Sequence, residues 1–211
     1  MAVSLRRTRT GAPPSSTAAL HAPLFQDLAG KLDATRRYVV LDLGAASTEM
    51  LALLGRSPCR VEIADLAHFG GIDQLNTTEP GAALASAADS LLPVLPPGEA
   101  FDLVFCWDLP NYLSLDALSA LMNTVGHRAR PGALVHALIC YAERDMGEQP
   151  GRFVPTPDVE LADLSAAGER IAAPRYSPEQ LGNSMRPFEI DRARLLSNGM
   201  QEFLFQLPWP H

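Results

Sequence analysis

Lysine is almost absent from this chain: of 17 basic side chains only Lys31 is a lysine, and 24 acidic ones oppose them. The resulting net charge of −7 argues against a nucleic-acid binder that works through a basic field. Long apolar runs are missing too, and none approaches the roughly 18 residues that a membrane helix needs. No membrane partner is therefore expected. Cysteine is scarce and badly placed for cross-linking. Cys59, Cys106 and Cys140 are odd in number, far apart and without a Cys-x-x-Cys pair, which argues against a disulfide framework or a zinc site. Cys106 and Cys140 lie in apolar runs and read as buried free thiols of a reducing compartment. Arg6 and Arg7 stand near the start, but no apolar segment follows them as an export signal requires. The expectation is a cytoplasmic protein.

What is present fits one domain. At 211 residues and 47% hydrophobic, the chain can bury a core of ordinary size. Residues 1–20, with three arginines and a Gly/Pro/Ser cluster, lack apolar periodicity and read as a flexible tail ahead of a domain spanning 21–211. From His21, Leu24, Phe25, Leu28 and Leu32 recur at helical spacing. Tyr38–Leu43 reads as a buried strand, followed by a helix capped at Ser47 or Thr48 and closed by Gly55. Arg60–Asp65, Phe101–Trp107 and Ala133–Cys140 read as further strands. Between the last two lies a helix capped by Ser114, with Leu115, Leu118, Leu121, Met122 and Val125 on one face. One more strand is expected between Asp65 and Phe101, although Gly81–Leu95 is alanine-rich and looks helical. Such alternation predicts a parallel α/β sheet covered on both faces.

The C-terminal part is built differently. Ser177-Pro178-Glu179-Gln180 is a capping box, with Tyr176 and Leu181 placed as a hydrophobic staple. Phe188–Leu196 and Met200–Leu207 follow, joined through Asn198-Gly199, which predicts a hairpin with a type I′ turn. The intervening 141–176 segment holds Pro150, Pro155, Pro157 and Pro174 and reads as a functional loop, a small inserted element or disorder.

In an open α/β sheet, ligands bind at the carboxyl ends of the strands. Asp42-Leu43-Gly44-Ala45-Ala46-Ser47-Thr48 forms a strand-to-helix turn there. Asp65 lies 21 residues beyond Gly44, where an acid can accept both ribose hydroxyls of a nucleoside. Trp107-Asp108-Leu109-Pro110-Asn111-Tyr112 ends the next strand. This pattern resembles the class I S-adenosylmethionine-dependent methyltransferases. Val39–Gly44 resembles their first motif, and Val61–Leu66 the second. Asp89 to Pro93 with Phe101–Val104 is similar to the approach to strand four, Arg130–Ala133 to the turn before strand five, and the terminal hairpin to the reversed last strand. The resemblance covers roughly residues 35–207. It implies a three-layer Rossmann-like sheet, mostly parallel with a C-terminal antiparallel hairpin strand, and S-adenosylmethionine as cofactor. Asp42 and Gly44 would frame its methionine part, Asp65 would hold its ribose and Asp89 would sit near its adenine; Trp107 and Asp108 would face the methionine, and Ala46 and Leu66 would also border the cofactor. One feature of the family is missing. Its usual Gly-x-Gly-x-Gly is here Gly44-Ala45-Ala46-Ser47-Thr48, with two glycines replaced.

Methyl transfer by in-line displacement needs close, dry reactants more than a particular side chain. No catalytic residue is assigned; Tyr112, Asn111, His68, Tyr141 and Glu143 are candidates for the rim. His136, inside an apolar strand, reads as a satisfied core histidine. Arg192 and Arg194 alternate in the hairpin and read as solvent-facing. The expected partner is a small-molecule substrate, since an acidic single domain suits one better than nucleic acid. The alternative is a methyltransferase-like protein without activity, serving as a partner or scaffold. A nicotinamide oxidoreductase is disfavoured by the absent Gly-x-Gly-x-x-Gly and by the hairpin.

Overall fold

The computed structural model describes residues 19–165 and 168–210. In chain order the elements are β1 (Ala19–Leu20), α1 (Pro23–Gly30), β2 (Tyr38–Asp42), α2 (Thr48–Leu54), β3 (Cys59–Ile63), α3 (Gly71–Thr77), α4 (Ala82–Leu91), β4 (Phe101–Trp107), α5 (Leu115–His127) and β5 (Ala129–Cys140). The short strands β6 (Asp145–Gly147), β7 (Phe153–Pro155), β8 (Leu161–Asp163) and β9 (Arg170–Ala172) come next. The chain finishes with α6 (Pro178–Ser184), β10 (Glu189–Leu195) and β11 (Met200–Gln206).

Six strands form the central sheet in the order β10-β11-β5-β4-β2-β3. Strands β3, β2, β4 and β5 run parallel, and β11 is antiparallel to both β5 and β10. This is a three-layer Rossmann-like sheet, mostly parallel, with a C-terminal antiparallel hairpin. Side chains alternate along each strand between two cores. Val39, Leu41, Val104, Cys106, Val135, Ala137, Phe203 and Phe205 face one layer, with Leu75, Leu84, Leu118, Leu121 and Leu181 from α3 to α6. Val40, Leu103, Phe105, Trp107, Leu138 and Leu204 face the other, with Phe25, Leu28, Met50 and Leu54 from α1 and α2. The chain passes from β2 outward to β3 and then crosses back to β4, so the topological switch point lies between β2 and β4.

Local signals set the helix ends. Ser47 accepts from Met50 N–H at 3.0 Å, Ser114 from Ala117 N–H at 3.2 Å, and Ser177 closes a reciprocal capping box with Gln180. Three expectations need correction. No strand forms between Asp65 and Phe101: α3 and α4 fill that interval, because the alanine-rich run has strong helical preference and only Leu84 and Ala88 of α4 are buried. Strand β3 therefore stays at the sheet edge, where Arg60 pairs with Glu62 and Glu99 and blunts it. The hairpin turn is not type I′. Gly199 (φ 82°) has positive φ and Asn198 does not, and Gly199 N–H bonds to Leu196 O at 3.1 Å. That is the three-residue hairpin with glycine in the left-handed position. Most of the anticipated tail, residues 1–18, lies outside the described residues, but its last two, Ala19 and Leu20, pair with Ala162 and Leu161.

The 141–176 segment is a small inserted element. Strand β7 pairs with β8, β8 with β1, and β6 with β9. Phe153 and Leu161 from it enter the α1/α2 core. Among the described residues no helix is long and apolar enough to cross a membrane, and no cluster of three metal-binding side chains occurs.

Candidate cofactor and acceptor clefts

The turn after β2 and the end of β4 face each other across the switch point. Asp42, 2% exposed, ends β2 inside the protein. Its Oδ1 accepts from Gly44 N–H at 2.9 Å and from the Trp107 indole N–H at 2.7 Å. Burial pushes its carboxyl up to about 6; those two hydrogen bonds oppose the shift and nearby Asp65 adds to it. Gly44 has a steric role as well: a methyl group there would come within 2.6 Å of the Trp107 ring. The glycine accommodates an indole of this same chain.

Trp107 ends β4 and Asp65 lies just beyond β3, on the two strands that flank β2, and both have left-handed backbones, φ 51° and 43°. Non-glycine residues pay roughly 1–3 kcal/mol for such conformations, which cluster at ligand sites. Asp65 Oδ1 lies 2.8 Å from His68 Nδ1, and its other oxygen accepts no hydrogen bond among the described residues. Leu43, Gly44, Asp65, His68, Cys106 and Trp107 line a cleft over the strand ends with about 60 Å³ of free volume. Residues 150–153 roof it: Phe153 stacks on Trp107 with ring centroids 6.4 Å apart.

Across the same roof lies a second, larger cleft of about 960 Å³. Ala67, His68, Gly151, Arg152 and Phe153 border both spaces. Asp108 lines the larger one and is 6% exposed; its Oδ2 accepts from Gly151 N–H at 2.8 Å and its Oδ1, fully buried, has no partner. Burial pushes Asp108 up to about 7, with the Gly151 hydrogen bond opposing and the charge of Asp163 adding. Tyr112 donates toward Gly147 O (3.0 Å) and Gln149 O (2.8 Å), holding the inserted element against the sheet.

The sequence-derived positions do not all meet. Asp42, Gly44, Asp65, Trp107 and Asp108 converge at the carboxyl ends of the strands. Ala46 is exposed and lines neither cleft, and Leu66 is buried in the α3–α6 core. Asp89 sits at the opposite end of the sheet, near the end of α4, paired with Arg128 just before β5. With no strand after α3, nothing carries that part of the chain to the cleft. Among the rim candidates, His68, Tyr112 and Glu143 line the larger cleft. Asn111 is structural, bridging Leu138 O and Cys140 N–H at 2.9 Å each. Tyr141 is 63% exposed and lines neither space. Phe153 and Gly151 escaped the sequence reading altogether, since a proline-rich stretch without periodicity carries no signal of where it folds back.

Because Asp42 and Asp108 titrate above their unfolded values, the folded state holds their protons more tightly. Their contribution to stability is greatest below pH 4 and is lost as pH rises through about 6 for Asp42 and about 7 for Asp108. Asp108→Asn removes one of these protonations. Its melting temperature relative to wild type is expected to rise between pH 5 and pH 8, measured by circular dichroism; a constant difference across that range contradicts the buried charge.

No protein-family model matches the sequence. No curated protein sequence matches it either. Among solved structures the fold resembles class I S-adenosylmethionine-dependent methyltransferases. One is the 1,6-didemethyltoxoflavin-N1-methyltransferase of Burkholderia thailandensis, at 15% identity and a TM-score of 0.47, over 89% of this chain and 80% of that one. Another is an S-adenosylmethionine-dependent methyltransferase of Clostridium acetobutylicum, at 14% and 0.44, over 88% and 89%. Likeness at this level concerns chain path and not chemistry.

Proposed function

We propose that the chain is an S-adenosylmethionine-dependent methyltransferase acting on a small molecule. The observation that carries this reading is the pair of adjoining clefts at the carboxyl ends of the strands, divided by one strap, as a two-ligand reaction requires. The donor set fits the nucleoside end of the cofactor: Asp65 offers a free carboxylate oxygen in the smaller cleft, where ribose hydroxyls can donate. Room for the whole molecule exists only when the Pro150–Phe153 strap withdraws, since ligand sites of this kind span about 300–1,000 Å³. S-adenosylmethionine would supply an electrophilic methyl group. The protein's own part is to hold the ribose through Asp65, to fix Asp42, Gly44 and Trp107 as a rigid wall, and to exclude water with Phe153.

One observation favours a second reading, a methyltransferase-like protein without activity: the Trp107 ring already lies against Gly44, and the second and third glycines are replaced. A thermal-shift titration separates the two. A ligand that binds only the native state at 100 times its dissociation constant stabilises by about 2.7 kcal/mol. On the enzyme reading, S-adenosylmethionine and S-adenosylhomocysteine each raise the melting temperature in a concentration-dependent way. On the second reading neither does.

A further inference from the structure

The larger cleft has a charge pattern that the proposed function leaves unused. Glu143, Asp145, Glu148, Asp163 and Glu169 surround it, against Arg152 and Arg170. Arg170 is already turned to the backbone oxygen of Asp145. Rim acids alone would be an ordinary solvated surface. Asp108 differs from them: it is buried in the wall, with one oxygen committed to Gly151 and the other without any partner. A buried carboxylate oxygen left unpaired costs about 1–3 kcal/mol or more, and no cation of the described residues lies within ion-pairing distance of it. Neighbouring groups register the same negative field. Cys140 is pushed up to about 11 by burial, then by Asp108 and Glu143, and Tyr112 is raised by burial and by Asp108 and Asp163. Carboxylate or phosphate ligands would meet this field unfavourably. A cationic ligand would relieve it.

We propose that the cleft bordered by Asp108 and the Pro150–Phe153 strap binds a small aliphatic amine as its ammonium ion, paired with the Asp108 carboxylate, whose unpartnered Oδ1 is uncovered as the strap yields to the ligand. The rim acids draw the cation inward, and the roughly 960 Å³ of space accommodates an apolar or polar remainder of about 10–20 heavy atoms within the usual range of ligand clefts. Calling that amine the methyl acceptor rests on the methyltransferase reading; its binding does not.

The test is calorimetry at pH 8, without S-adenosylmethionine, using butylamine, 1,4-diaminobutane and 4-phenylbutylamine beside 4-phenylbutan-1-ol and 4-phenylbutyrate. At least one amine is expected to bind, with 4-phenylbutylamine at least tenfold tighter than the alcohol and the carboxylate weakest. Asp108→Asn is expected to weaken amine binding at least tenfold and leave the alcohol unchanged, as loss of a charge-assisted hydrogen bond requires. Should that variant fail to fold, Asp163→Asn with Glu143→Gln, both at exposed positions, is expected to weaken it severalfold. No amine binding at about 5 mM, equal affinity for alcohol and amine, or unaltered affinity in the folded variants overturns the proposal. Amine binding in a protein that ignores S-adenosylhomocysteine keeps this inference and removes the enzyme reading; the converse result does the opposite.

Discussion

Glu202→Ala is expected to destabilise the protein by about 3–5 kcal/mol, because it leaves two buried N–H groups and a buried imidazole without their acceptor, at about 1–3 kcal/mol for each unsatisfied group. For a chain of this length that corresponds to a melting temperature lower by about 10 °C. Glu202 lies on β11 with no solvent exposure. Its carboxylate accepts from Leu24 N–H at 2.9 Å and from Phe25 N–H at 2.7 Å, at the start of α1. Its Oε1 also lies 2.9 Å from Nε2 of His136, likewise fully buried. The first-turn amides of a helix have no intrahelical acceptor, and α1 has no side-chain cap of its own. Glu202 supplies both oxygens from across the sheet and so fixes α1 over β5 and β11. Alanine there strands two N–H groups and an imidazole away from water. Glu202→Gln, which keeps one acceptor oxygen, is expected to cost less than half as much. Thermal unfolding followed by circular dichroism measures both; a shift below about 2 °C for the alanine variant contradicts this role.

Asp65→Ala is expected to weaken S-adenosylhomocysteine binding at least tenfold while leaving the fold intact. Hydrogen bonds to a charged acceptor contribute about 1.5–3 kcal/mol, or roughly 10–100-fold in affinity. Its side-chain hydrogen bonds go only to His68, which is itself exposed, so unfolding is not the expected outcome. Asp65→Asn should fall between the two, because the amide keeps one acceptor. Equal affinity in wild type and Asp65→Ala would place the ribose elsewhere.

The fold was largely legible in the chain, and for identifiable reasons. Short β-branched runs ending in glycine or an acid mark β2 and β3, and serine caps mark α2, α5 and α6. Asn198-Gly199 marked the hairpin but not its geometry, since whether one or both residues take positive φ depends on strand register. The missing third strand was ambiguous because position in the order argued for a strand while alanine content argued for a helix; local preference prevailed. Of the candidate site, the convergence of Asp42, Gly44, Asp65, Trp107 and Asp108 was legible because each ends a strand or begins a turn. Asp89 was misplaced by the same missing strand. The strap was illegible: Phe153 stacks on Trp107 over a sequence distance that no local pattern encodes. Glu202 drew no attention in the sequence, because its partners Leu24 and Phe25 lie almost the whole chain away.

The most direct measurement is calorimetric titration of S-adenosylhomocysteine into the wild-type protein and into Phe153→Ala, each shown to be folded. Removing the ring that lies over Trp107 lowers the cost of clearing the cleft, and affinity falls by the fraction of molecules in the competent state. The prediction is one-to-one binding by wild type and tighter binding by Phe153→Ala. Absence of heat from both proteins at about 1 mM ligand would contradict a cofactor site at the ends of β2, β3 and β4.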